Sequence, residues 1–186
     1  MTCIAALIDK NNDIYIGGDS CTFSDNHYEL PPYPKAYIKK GVAFGFSGIK
    51  REAQIIRYSF DPPDFKNIES LMNYMCIDFV DELKSNIEKR FQLNKETDSH
   101  SGSCLVCMHG HIFSVGSDFS ITERSDTFDA IGSGKNYALG ALHSTQDWDD
   151  GEARIRHALE TAEKFSSSCR APFHILYLKS SENEDK

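Results

Sequence analysis

A chain of 186 residues holds one domain, or at most two small ones, which excludes long repeat arrays. Hydrophobic residues at 40% and charged residues at 26% are ordinary globular usage, so neither a disordered chain nor a coiled coil fits. With 28 acids against 20 bases the net charge is −8, which leaves no basic stripe to neutralise phosphates and argues against nucleic acid as a partner.

From Met1-Thr2 the chain runs straight into strand-like sequence, with no basic leader, long apolar stretch or small-residue cleavage site. The expectation is a protein that begins to fold at Thr2 and carries no export signal. Its longest uncharged apolar run, residues 3–8, is about a third of what a membrane-spanning helix needs, so no membrane partner is expected. The cysteines at 3, 21, 76, 104, 107 and 169 are then expected as reduced thiols, in a cytoplasmic protein of a cell or an infected host.

Residues 2–8 and 14–16 read as two strands joined by the polar turn 9–13. The first is apolar on both faces, the pattern of a strand covered from both sides. Residues 20–34 turn polar, with Pro31, Pro32 and Pro34, and read as a long loop that shapes the rim of a site. Residues 35–40 read as a short edge strand, and 42–46 as a buried strand ending at Ser47-Gly48. Pro62 and Pro63 separate a weak helix over 49–59 from the clearest element in the chain. There Ile68, Leu71, Met72, Met75, Cys76, Phe79, Val80, Leu83, Ile87 and Phe91 keep the helical period for over six turns.

After the polar stretch 93–103, residues 104–108 and 111–115 read as a hairpin about Gly110, with a further strand pair toward Ala130-Ile131. Residues 134–144 and 151–165 read as two helices, 173–178 as a closing strand, and 180–186 as a polar tail that frays. Strands, a helix pair, strands, a second helix pair and one last strand predict an α+β, four-layer αββα sandwich, with two antiparallel sheets between two helical layers. A doubly wound α/β fold is the alternative, but it expects strands alternating singly with helices. A single domain over residues 1–179 follows.

Two constellations invite a metal or a nucleotide. Cys104-Leu-Val-Cys107-Met-His109-Gly-His111 has zinc-like spacing, but on a strand Cys104 and Cys107 point to opposite faces, and no second cysteine pair supports them. Ordinary buried cysteines and exposed hairpin histidines are the reading, with no metal. Asp129-Ala-Ile-Gly-Ser-Gly-Lys-Asn136 resembles a phosphate loop but lacks a glycine at Asp129 and a hydroxyl at Asn136. It is read as a glycine turn at a helix start that leaves Ser133 in an exposed, electropositive position, and no cofactor is called for.

Thr2 carries a different kind of chemistry. Removal of Met1, which a small second residue permits, places a free α-amine beside the Thr2 hydroxyl. Such an amine titrates near about 7.7–8.0 in model peptides and can serve as a general base, so one residue holds nucleophile and base. Any protein can begin Met-Thr, and the dipeptide alone does not assign that chemistry.

The ordered set Thr2-Cys-Ile-Ala-Ala-Leu, Tyr15-Ile-Gly-Gly-Asp19-Ser20, Lys35, Gly45-Phe-Ser-Gly48, Ala130-Ile-Gly-Ser-Gly134 and Tyr137-Ala-Leu-Gly140 resembles proteasome β-subunits and the bacterial proteasome-like peptidase. These are N-terminal nucleophile hydrolases. The start without a propeptide, and the stretch from Ala162-Glu-Lys-Phe-Ser to Ala171-Pro-Phe, resemble the bacterial and phage-type branch more than processed eukaryotic subunits. The resemblance implies a threonine-type peptidase in which Thr2 attacks the scissile carbonyl and forms an acyl ester. Lys35 would place positive charge beside the hydroxyl and amine, and Asp19 would orient that lysine. Gly48 would offer its N–H to the oxyanion, and Ser133 would hold the terminal amine and relay its proton. Asp19 also reads as a simple turn acid, and Lys39 and Lys40 compete with Lys35, which alone follows the loop at the family's spacing.

The family's acid and serine near the end of the fourth helix fall, in a gapless match, on Ser166 and Cys169, a departure from its pattern. The resemblance further implies a polypeptide substrate, a homo-oligomeric ring and a separate unfolding ATPase. A small-molecule amidase on the same fold, or a catalytically silent ring scaffold, are the alternatives.

Overall fold

The structure is a computed structural model that describes residues 2–24, 27–66, 68–91 and 101–180. Met1, most of the polar stretch 93–103 and the tail beyond Ser180 lie outside the described residues.

Two antiparallel sheets form the centre. The first has four strands in the order β10-β1-β2-β11, namely Phe128–Gly132, Cys3–Ile8, Ile14–Asp19 and Phe173–Leu178. The second has five in the order β5-β6-β7-β8-β9: Ala36–Lys39, Val42–Ser47, Ser103–Met108, His111–Val115 and Ile121–Glu123. Because successive side chains on a strand point to opposite faces, β1 feeds two cores at once. Ile4 and Ala6 pack between the sheets against Ile16, Ala43 and Leu105. Cys3, Ala5 and Leu7 face outward onto the helices α4 (Lys135–Ser144) and α5 (Gly151–Phe165).

On the far side of the second sheet, Phe44, Val106 and Phe113 pack under α1 (Lys50–Ser59) and the long second helix. The molecule is therefore the αββα sandwich expected from the order of elements. Among the described residues no helix is long and apolar enough to cross a membrane.

Several local expectations are corrected. The second helix starts at α2 (Leu71–Tyr74), where Ser70 caps the Asn73 N–H, then passes through a π-helical turn, Met75–Phe79, into α3 (Val80–Glu88). The wide turn brings Tyr74 and Met75 inward and leaves Met72 and Cys76 facing solvent, against the uniform 3.6-residue reading. Residues 20–34 are not one loop, because β3 (Thr22–Ser24) and β4 (His27–Glu29) pair within them. The strands β9 and β10 do not pair with each other. The chain changes sheets between them, where Arg124 donates to Asp129 at 2.8 Å.

Cys104 packs on the helical face and Cys107 between the sheets, as alternation along β7 requires. Burial pushes the Cys104 thiol up to about 12 and raises that of Cys107 as well. His111 instead bonds Glu123 at 2.7 Å, and among the described residues no group of three His, Cys, Asp or Glu could hold a metal. Ser180, read as part of a fraying tail, is buried, and its N–H donates to Asp13 at 2.8 Å.

Candidate active site

Strand register alone brings three of the five candidate residues together. β1 pairs with β10 so that Cys3 lies opposite Gly132, which puts Thr2, one residue back, beside Ser133. On its other edge β1 pairs with β2 so that Ile4 faces Gly18, which puts Asp19 beside Cys3. Lys35 arrives from the second sheet: it precedes β5, and its carbonyl accepts the Phe46 N–H at 3.4 Å. Gly48 follows the end of β6 and shares a cleft with Thr2 and Lys35. The candidate site therefore sits where the open end of the first sheet meets the second.

The Lys35 ammonium is the hub. It donates to Thr2 Oγ1 at 3.1 Å, to both Asp19 carboxylate oxygens at 3.0 Å, and to the Cys21 carbonyl. Asp19 is fully buried and is held in turn by two backbone donors, the Cys3 N–H at 2.8 Å and the Cys21 N–H at 3.1 Å. A buried carboxylate that accepts several hydrogen bonds and faces a lysine is fixed in place. Asp19 thus holds the Lys35 ammonium beside the Thr2 hydroxyl, and its bond to the Cys21 N–H also closes the turn after β2. Lys39 and Lys40 are engaged elsewhere, both pairing with Asp61.

On the opposite side of Thr2, its N–H donates to Ser133 Oγ at 3.2 Å. The Ser133 hydroxyl and the Gly134 N–H both lie 3.2 Å from the Thr2 carbonyl oxygen. Gly132 makes this approach possible: its φ is +92°, and a Cβ there would fall 2.2 Å from the Thr2 carbonyl oxygen. The chain of hydroxyls continues from Ser133 Oγ to Ser168 Oγ at 2.9 Å and on to Ser166 Oγ at 2.8 Å. Ser168 is the residue that sequence reasoning missed. The gapless match placed Ser166 and Cys169 in this region, yet the turn after α5 aims Ser168 at Ser133, while Cys169 lies in the core. The run Ser166-Ser-Ser-Cys169 was the available signal, but which serine points inward depends on the turn.

Gly48 is constrained by close packing. A Cβ there would meet the Gly102 Cα at 2.7 Å and the Phe46 ring at 2.9 Å, so the two glycines pack against each other beside Phe46. Glu52, a second residue the sequence did not flag, secures that contact. Fully buried in α1, it accepts the Ser101 hydroxyl at 2.7 Å and the Ser101 N–H at 3.1 Å. The cleft in front of Thr2 has a volume of about 270 Å³ and is walled by α1.

Compared with solved structures, the chain resembles Thiobacillus denitrificans BPH in complex with epoxomicin, with TM-score 0.81 and 22% identity over 97% of this chain and 100% of that one. A second BPH structure from the same organism matches equally, at 0.81 and 22% over 98% and 100%. Eukaryotic HslV from Trypanosoma brucei matches with TM-score 0.74 and 19% identity over 96% and 99%. These neighbours are proteasome-like N-terminal nucleophile peptidases, and the fold of this chain is theirs. No family profile matches the sequence, and no curated protein matches it.

Proposed function

We infer that this chain is a threonine-type N-terminal nucleophile peptidase. The observation that carries the reading is the Lys35 ammonium 3.1 Å from Thr2 Oγ1, clamped from behind by the buried Asp19. A cation at that distance stabilises the alkoxide character that develops as the hydroxyl attacks.

On this reading Met1 is removed and the Thr2 α-amine becomes the base. The amine takes the hydroxyl proton while Oγ1 forms a bond to the scissile carbonyl carbon, whose π electrons move onto oxygen beside the Gly48 N–H. Collapse of that intermediate expels the amine half of the substrate, which receives the proton from the α-ammonium, and leaves an acyl ester on Thr2. Water, deprotonated by the same amine, hydrolyses the ester and restores the hydroxyl. Ser133 and Ser168 steady the α-amine between these proton transfers.

The resemblance of the sequence to proteasome-like peptidases, together with the fold shared with the BPH and HslV structures, supports a homo-oligomeric ring that acts on polypeptides, with a separate unfolding ATPase as partner. The six cysteines, all free, support work in a reducing, cytoplasmic compartment. The test is turnover of unstructured peptides by the purified, Met1-processed protein beside its Thr2→Ala variant. The wild type is expected to cleave and the variant to be inert, and equal rates would refute the reading. Native mass spectrometry reads the ring, and a stable monomer would count against it.

A further inference from the structure

The wall of the cleft is a single face of α1. Lys50, Ala53, Gln54, Arg57 and Tyr58 all line it, spaced as one stripe of a helix, while Glu52, Ile55 and Ile56 point into the core. Small Ala53 leaves room in the middle of the stripe, and Arg57 stands at its end. The guanidinium lies 4.8 Å from the Tyr37 ring centroid and 5.8 Å from that of Tyr58, and it donates to the Pro34 carbonyl. Stacking and one carbonyl fix its plane, yet a guanidinium has five N–H donors in a rigid fork, and Pro34 accepts only from Nη1.

The charge around it is unusual for this protein. The chain carries 28 acids against 20 bases, yet among the described residues the cleft is lined by Lys35, Lys50 and Arg57 and by no carboxylate. Two of these cations are matched from behind, Lys35 by Asp19 at 3.0 Å and Lys50 by Glu29 at 3.7 Å. Arg57 has no carboxylate within ion-pair distance among the described residues. A pre-oriented, unmatched guanidinium between aromatic faces in a narrow cleft is built for one complement, a carboxylate taken bidentately.

We propose that Arg57 sets the substrate preference of this site, selecting peptides whose side chain on the acyl side of the scissile bond is acidic, glutamate above all. The proposal rests on the peptidase reading, since it needs Thr2 to be the nucleophile at the mouth of the same cleft. Glutamate suits a cleft lined by Tyr37, Phe46 and Arg57, because it offers two apolar methylenes and a carboxylate on one side chain. The Gln54 amide, four residues behind a cation on the same stripe, adds a neutral donor.

The experiment compares matched peptide substrates and matched peptide aldehydes with glutamyl, leucyl or lysyl at that position. Turnover and covalent occupancy of Thr2 are read on the wild type, Arg57→Gln and Arg57→Glu. Loss of a charge-assisted hydrogen bond is worth about ten- to a hundredfold, so the glutamyl-over-leucyl ratio is expected to fall by that factor in Arg57→Gln. In Arg57→Glu the preference is expected to turn toward lysyl. If the wild type cleaves leucyl or lysyl peptides better than glutamyl ones, or if Arg57→Gln lowers all three alike, the specificity assignment is overturned while the peptidase reading stands. If no peptide is cleaved and no aldehyde occupies Thr2, the peptidase reading fails and takes the assignment with it.

Discussion

Ser168 Oγ lies 2.9 Å from Ser133 Oγ, and Ser133 Oγ lies 3.2 Å from the Thr2 nitrogen, so a hydroxyl relay runs from the turn after α5 to the residue proposed as nucleophile. Ser168 does not reach the cleft itself. It acts as a positioning residue, holding the Ser133 rotor so that its lone pair meets the Thr2 nitrogen. Ser168→Ala is expected to lower kcat about ten- to a hundredfold, leave KM within about twofold and shift the acid limb of the pH–rate profile, because the α-amine loses part of its hydrogen-bonded surroundings. Ser168→Thr should recover most of the rate. A drop in KM-controlled binding with an unmoved pH profile would assign Ser168 a merely structural part.

Lys35 and Asp19 couple activity to stability. Lys35→Ala removes the cation beside Thr2 Oγ1 and leaves the Asp19 carboxylate buried with only backbone donors. The expected cost is ~10²–10³-fold in kcat/KM together with about 3 kcal/mol of stability. Urea unfolding beside steady-state kinetics reads both. Loss of activity at full stability would mean that Asp19 is solvated and not clamped.

Gly132 carries a backbone constraint that no side chain accommodates. With φ at +92° and a Cβ that would sit 2.2 Å from the Thr2 carbonyl oxygen, Gly132→Ala forces the start of β1 away from β10. The expected loss is about 1–3 kcal/mol, read as a fall in Tm of about 2–12 °C for a chain of this length. Thr2 is displaced with it, so activity falls by more than the loss of folded protein explains.

Much of this site was legible because the fold places chemistry at strand ends, where sequence signals are sharp. Asp19 closes a β-strand, Ser133 follows a strand and precedes a helix, and Lys35 directly follows the proline-rich segment. Ser168 was not legible, because only the geometry of the turn after Phe165 decides which of three consecutive serines faces inward. The π-helical turn was hidden for a similar reason: a one-residue slip moves burial from Cys76 to Tyr74 without disturbing an apolar pattern at roughly every fourth position. The pair β3–β4 escaped because each strand is three residues long, too short to show alternation. The change of sheet between Glu123 and Phe128 leaves no local mark beyond the Arg124–Asp129 pair.

The cysteines give a separate check on the packing. Cys76 is exposed and the other five are buried, so one thiol is expected to react at once with an aromatic disulfide reagent and the rest only on unfolding. Burial raises the Cys104 thiol from its ordinary 9.0 to about 12, which means that the folded state favours the neutral form. That contribution is fully present below the ordinary value and is lost as pH rises through the folded one, so unfolding free energy should decline between about pH 9 and pH 12. Urea midpoints across that range, in wild type and Cys104→Ala, should show a shallower decline in the variant.

The central claim is that Thr2, once Met1 is gone, is a covalent nucleophile. Its most direct test is mass spectrometry of the purified protein after incubation with epoxomicin, the compound held by the Thiobacillus denitrificans neighbour. The expected result is a chain lacking Met1 that gains one equivalent mapped to Thr2, with no adduct on Thr2→Ala. A chain that keeps Met1 and stays unmodified, or an adduct that persists in Thr2→Ala, would contradict it.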